Sequence, residues 1–170
     1  MIPGRQVKRR GSTMLEFVLV SIPMIFIMIS IFELARGMWM YQTLAFAVRE
    51  GARYAAMHGK SCASPNTCQV SIGTITGVIK SAGPGLDSSN ITLTFTPASG
   101  TATSDTMANL ASSTTTYPPS AANADGQAVQ ISAKYRFRTI LAIFWTGAGP
   151  PLNDDGTFYL TASSTEPIQF

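Results

Sequence analysis

Residues Phe17 to Phe32 read FVLVSIPMIFIMISIF, sixteen consecutive residues without a charge. A bilayer core takes about 20 apolar residues at 1.5 Å each. Extending the run back to Ser12 gives twenty-one residues but includes Glu16. A carboxylate at the centre of a membrane helix costs on the order of 3 kcal/mol, and less near the interface, so Glu16 calls for a reason. Pro23 is a second irregularity: it removes a backbone donor, which membrane helices tolerate better than soluble ones. A secretory signal peptide has an apolar core of about 7–15 residues and a small-x-small cleavage site. This run is longer, and ELARGMWMYQ (33–42) offers no such site. Length therefore favours an anchor over a cleaved signal peptide.

The charge upstream orients that anchor. Arg5, Lys8, Arg9 and Arg10 supply four positive charges, whereas the whole 170-residue chain is only +3. A basic stub followed by an apolar run reads as a topology signal: the stub stays cytoplasmic and the rest crosses. The pI near 9.1 is thus local in origin. A nucleic-acid surface would need basic residues spread over the folded domain. From Lys60 to Phe170 there are five basic and six acidic residues, which excludes that class. Charged residues are 12% of the chain, about half the usual share. With a mean hydropathy of +0.18, this points to a membrane segment.

Downstream, Leu34, Met38, Tyr41, Ala45, Val48, Ala52 and Ala55 recur at spacings of four and three, one face of a helix. Glu33, Arg36, Arg49, Glu50 and Arg53 lie largely off it, and Gly59 is a stop signal. The pattern predicts one helix over 12–57, with a membrane half at 12–32 and an amphipathic half at 33–57. Its length is roughly 70 Å, about twice a membrane thickness. Residues 58–170 form the head. Cys62-Ala-Ser-Pro-Asn-Thr-Cys68 can close a small disulfide loop outside the cytoplasm, where such bonds persist. A zinc site would need two further ligands, and only His58 is near.

Val70, Ile72, Ile75, Val78 and Ile79 suggest a short helix ending near Ala82-Gly83-Pro84. Period-two alternation at Ile91–Phe95, Val129–Arg138 and Phe158–Ala162 predicts an antiparallel sheet with one buried face. The amphipathic half-helix is its natural cover, giving an α+β fold. Thr96 to Ser120 holds twelve Ser or Thr in twenty-five residues. That composition, within 96–127, predicts a solvated loop or a surface for modification. Ile140–Trp145 is a short apolar patch, either core or docking surface.

No reaction chemistry emerges. His58 is the only imidazole, and there is no G-x-S-x-G and no Gly-rich phosphate loop. Gly83-Pro84-Gly85, Gly147-Ala148-Gly149-Pro150 and Asp154-Asp155-Gly156 read as turns, since the last lacks the spaced carboxylates of a calcium loop. No enzyme activity, cofactor or metal is expected.

The N-terminal constellation is Arg9-Arg10-Gly11, Ser12-Thr13-Met14-Leu15, then Glu16-Phe17 and Pro23. A basic stub, a glycine and a glutamate five positions later describe a prepilin-type signal. Together with Arg49-Glu50-Gly51-Ala52-Arg53-Tyr54-Ala55 at the end of the long helix, the chain resembles the TadE-like minor pilins (pseudopilins) of the tight-adherence (Tad) pilus system. The resemblance covers residues 9–57. It recurs in FYLTASSTEPIQF (158–170), which is similar to the family's closing strand, and is absent from 96–127.

The resemblance implies that residues 1–11 are a leader and that a prepilin peptidase cuts between Gly11 and Ser12. It implies that Glu16 pairs with the freed Ser12 amine of a neighbouring subunit, a pairing that relieves two otherwise costly buried charges. A carboxylate facing lipid headgroups is the other reading of Glu16. The implied partners are the peptidase, other major and minor pilins, the Tad assembly platform and inner-membrane lipid. The implied place is the bacterial inner membrane, single-pass, with a periplasmic head that joins pilus biogenesis, secretion or adhesion. The alternative is an uncleaved single-pass protein whose periplasmic head binds a ligand or wall polymer.

Overall fold

The computed structural model describes residues 12–62, 68–140 and 157–169. One unbroken helix, α1, runs Ser12–Ala56 through Pro23. Much of its lower half is exposed: Met14, Leu15, Phe17, Leu19, Ile25 and Phe32 all face outward. It is the one helix among the described residues that is long and apolar enough to cross a membrane. Hydroxyls within it find partners in the helix itself, since Ser21 donates to the Val18 carbonyl and Ser30 to that of Phe26. Such back-bonding leaves no hydroxyl donor of either serine unmet in lipid.

The upper half of α1 is built into a small α+β head. A four-stranded antiparallel sheet has the order β3-β2-β5-β6, from β2 (Ile91–Thr96), β3 (Thr103–Thr106), β5 (Ala128–Arg138) and β6 (Thr157–Pro167). The alternation read from the sequence places Ile91, Leu93, Phe95, Val129, Ile131 and Phe137 inward, all buried. Thr92, Thr94, Ser132, Lys134 and Arg136 occupy the alternate, outward positions. The inward side chains share one core with Leu44, Ala47, Val48, Ala52 and Ala55 of α1. Helix α2 (Ile72–Ala82) packs on α1 through Ile72, Ile75 and Ile79. Ser71 caps it, its hydroxyl accepting from Thr74 N at 3.1 Å. Val70 and Ser71, expected at the start of that helix, instead form the short strand β1, paired with β4 (Thr116–Tyr117).

The stretch expected to be a solvated loop is ordered. It holds β3, α3 (Met107–Leu110), β4 and a 3-10 turn at Ser120–Ala122, and it buries Met107, Leu110, Tyr117 and Ala122. The Tyr117 hydroxyl reaches the carbonyls of Thr96 and Gln130 at 2.9 and 3.1 Å, and its ring meets Phe95 edge-on. Burial pushes that hydroxyl's pKa above the ordinary tyrosine range. Composition suggested solvation, but a few apolar residues spaced among the hydroxyls suffice to tie this segment down.

The α1 face expected to meet the head is correct only in its upper part. Val48, Ala52 and Ala55 are fully buried, whereas Leu34, Met38 and Tyr41 are 67%, 56% and 48% exposed. Below Leu44 the stripe that turns toward the head runs through Met40 and Glu33 instead. The helix is apolar over most of its girth there, so periodicity alone does not say which side the head takes.

The close crossing of α1 and α2 depends on Gly51. A Cβ there would lie 2.4 Å from Ile79 Cγ1 and 2.7 Å from its Cδ1. Gly51→Leu should therefore lower head stability by roughly 1–3 kcal/mol, and adding Ile79→Ala should recover part of that loss. Thermal melting of the full chain in micelles reads both; an unchanged melting temperature for Gly51→Leu contradicts the packing.

Candidate functional site

The residues singled out by sequence fall at three levels along α1. At the bottom, Gly11 lies outside the described residues and Ser12 begins the helix. Glu16 and Phe17 are exposed on the helix surface, Phe17 at 72%. Roughly 50 Å higher, the Arg49–Ala55 signature divides by face. Gly51, Ala52 and Ala55 are buried against the head. Arg49 and Arg53 are exposed, and Arg53 Nη1 bonds Glu50 Oε1 at 3.3 Å. An exposed pair of this kind adds well under 1 kcal/mol. Tyr54 sets the ring of His58 at 4.3 Å between centroids, and His58 Nδ1 lies 2.6 Å from the Tyr54 carbonyl. The one imidazole is thus a buried element of the helix end.

Cys62 and Cys68 are disulfide-bonded, with Cα atoms 5.5 Å apart. The bridge fastens the chain where it leaves α1 and turns toward β1. The top of the helix is tied by backbone as well: Gln169 N donates to the Ala56 carbonyl at 3.1 Å, and Lys60 N to that of Asn123 at 2.9 Å. One of the helix's open C-terminal carbonyls thereby gains a donor from the closing segment. Among the described residues no group of three or more His, Cys, Asp or Glu could hold a metal ion.

The middle level was missed by sequence reasoning. Glu33, the first charged residue after the apolar run, is only 8% exposed. Its Oε2 accepts from Thr139 Oγ1 at 3.0 Å, from Ile140 N at 3.1 Å and from Arg36 Nη2 at 3.3 Å. The same Arg36 nitrogen donates to the Arg138 carbonyl at 2.6 Å, and its guanidinium stands 4.6 Å from the Phe137 ring centre. This cluster locks the lower end of β5 to α1 at the exit of the apolar run. Position alone marks Glu33 as a boundary residue, but its partners lie 106 and 107 positions away, beyond any local pattern. Of the apolar patch at 140–145, only Ile140 is described, and it is 52% exposed. The turns expected at 147–150 and 154–156 lie outside the described residues.

Charged acceptors make strong bonds, so Glu33→Ala should destabilise the head by about 1.5–3 kcal/mol. Glu33→Gln, which keeps one acceptor oxygen, should cost less. Melting of the full chain in micelles, with limited proteolysis near Arg138, checks this; equal melting of wild type and Glu33→Ala contradicts the lock.

No curated protein and no solved structure matches this chain. A family model does, that of the TadE-like proteins, over residues 11–53. The matched span begins at Gly11, contains Glu16, Phe17, Pro23 and Glu33, and ends within the charged signature at Arg53. It coincides with the helix that rises from the apolar run into the head, so the N-terminal part of this chain, residues 11–53, is a TadE-like segment, as its motifs indicate.

Proposed function

We propose that the protein is a minor pilin or pseudopilin of a Tad-type pilus system, anchored in the inner membrane by the lower half of α1 with its head in the periplasm. The observation that carries this reading is that the TadE-like match falls on a helix whose apolar half carries a long row of exposed large apolar side chains. Such a surface is unstable in water and needs lipid first and other helices later. Glu16 sits in this surface one residue before the charge-free run. Cleavage by a prepilin peptidase between Gly11 and Ser12 removes four basic charges and frees an amine. That amine then pairs with Glu16 of an adjacent subunit, and both charges leave lipid for a hydrogen-bonded contact. The head rides on the stalk, where the outward Arg49, Glu50 and Arg53 face neighbouring subunits. The work is assembly and packing, with adhesion or secretion as the output of the fibre.

Gly11→Val should block the cut while leaving membrane insertion intact, so that the envelope form keeps its original N-terminus; N-terminal sequencing reads this. Glu16→Ala should be inserted and cleaved but fail to crosslink to other pilins. A wild-type chain left uncut in cells with an active peptidase supports a plain anchor with a ligand-binding head instead. Wild-type crosslinking of Glu16→Ala refutes the role given to Glu16.

A further inference from the structure

Among the described residues β6 is the outermost strand on its side of the sheet. The ladder shows which of its backbone groups turn outward. Arg136 N donates to the Asn90 carbonyl at 2.9 Å, and Ile168 N to that of Gln127 at 2.8 Å. Backbone groups alternate sides along an antiparallel strand, so even-numbered residues of β5 bond β2 and odd-numbered ones bond β6. The register sets Phe137 opposite Phe158, Tyr135 opposite Leu160 and Ala133 opposite Ala162. Tyr159, Thr161, Ser163 and Thr165 therefore aim their N–H and C=O groups at the outer edge. Folded proteins blunt such edges with short strands, bulges, charges or proline. The opposite edge, β3, is blunted: it has four residues, Asp105 stands opposite the inward Leu93, and α3 follows at once. β6 has eleven residues and an unbroken register with β5. From Thr157 to Thr165 it holds no charge, glycine or proline, and Glu166 and Pro167 come only at its upper end.

An apolar shelf adjoins this edge. Ile72 N donates to the Thr115 carbonyl at 2.8 Å and Gly73 N to that of Ser113 at 3.1 Å, which ties α2 to the segment beyond β3. Helix α2 thus lies on the β3 side of the head, and α1 packs on β5 and β6. The turn after α2 reaches α1 at Trp39, since a Cβ on Gly85 would lie 3.2 Å from that ring. Leu34 and Tyr41 stand about 140° and 200° of helical turn from Trp39. With Met38 they take the flank away from α2, beside β6, and all three are exposed. The bond from Arg36 to the Arg138 carbonyl and that from Gln169 N to the Ala56 carbonyl set β6 rising alongside α1. Tyr41 is about 12 Å above Glu33, and Thr161 about 13 Å above Thr157. The shelf therefore runs beside the lower half of the open edge.

We propose that the outer edge of β6 takes an added strand from a different polypeptide, antiparallel to β6, with apolar side chains at alternate positions resting on Leu34, Met38 and Tyr41. Main-chain bonds supply the affinity, and the shelf selects the side chains. Direction argues against a second copy of this chain. Two copies held in one membrane both run β6 away from it, so their β6 edges meet in parallel, and the other described edge is the blunted β3. An antiparallel occupant runs toward the membrane. That orientation rests on α1 spanning the bilayer; the pairing itself does not.

The test uses the full chain in zwitterionic micelles and a synthetic peptide copying β5, Ala128–Arg138, a strand with the required direction and alternation. Amide exchange is read residue by residue by NMR. Without peptide, the amides of Tyr159, Thr161, Ser163 and Thr165 should exchange on the order of a hundredfold faster than those of Leu160 and Ala162. The peptide should slow those four on the order of tenfold, and a scrambled peptide should leave them fast. Ser163→Pro, whose lost N–H faces outward, should abolish this protection while Leu160 and Ala162 stay slow. Met38→Glu/Tyr41→Glu should weaken peptide binding about tenfold with an unchanged melting temperature. Four slow amides in the chain alone overturn the proposal, because the edge is then already covered. Absence of protection by the β5 peptide, equal protection by the scrambled one, or undiminished protection in Ser163→Pro also overturns it. Protection that rises with protein concentration alone identifies a second copy and overturns the occupant named. Flotation with phosphatidylcholine vesicles tests the spanning reading separately: a chain that does not float fails as an anchor whatever its edge binds.

Discussion

One helix serves two solvents. In the proposed membrane-held form the surroundings of α1 change between Phe32 and Glu33 from an apolar medium to a folded head, and the backbone crosses that boundary without a break. A helix meets this constraint because its backbone bonds are internal and hold equally in lipid and in water. The side chains must change character within one turn, and Glu33 and Arg36 are where they do. Burying Glu33 would be costly without donors; Thr139, Ile140 and Arg36 supply three. The same bonds set the height and tilt of the sheet against its anchor.

Above the junction, small residues let the head close on its stalk. Ala47, Gly51, Ala52, Ala55 and Ala56 line the buried stripe of α1, so α2 and the sheet approach the helix backbone closely. Larger side chains come from the other elements: Ile75 and Ile79 from α2, Phe95 from β2, Phe137 from β5. The charged part of the signature lies on the other side, away from this packing. A motif that looks like one run in sequence thus divides between two faces: Gly51 and the alanines pack the head, and Arg49 and the Glu50–Arg53 pair lie on the outer side.

Much of this was legible in the sequence. The charge-free run marked a helix long and apolar enough to cross a membrane, period-two alternation located β2, β5 and β6, and Gly11, Glu16 and the Arg49–Ala55 signature carried the family resemblance. These are local patterns with strong periodicity or composition. What escaped was long-range or weakly patterned. The strands β1, β3 and β4 are two to four residues long, too short for alternation to register, and they sit in or beside a Ser/Thr-rich stretch whose few apolar residues carry the packing. The helix face at 34–41 was misassigned because Leu34, Met38 and Tyr41 are as apolar as a core stripe. Glu33 was passed over because a charge reads as solvent-facing, and only the fold brings Thr139 and Ile140 to it.

The account rests on α1 changing solvents at Glu33. Single-cysteine scanning from position 17 to 46 in membrane vesicles, with a water-soluble thiol reagent, tests this most directly, because the native Cys62–Cys68 pair is bonded and does not label. Cysteines at positions up to 32 should resist labelling, and those at the exposed positions 34, 38, 41 and 46 should label readily. Labelling that continues unchanged down to position 17, or protection that extends through position 46, would contradict the boundary and the geometry built on it.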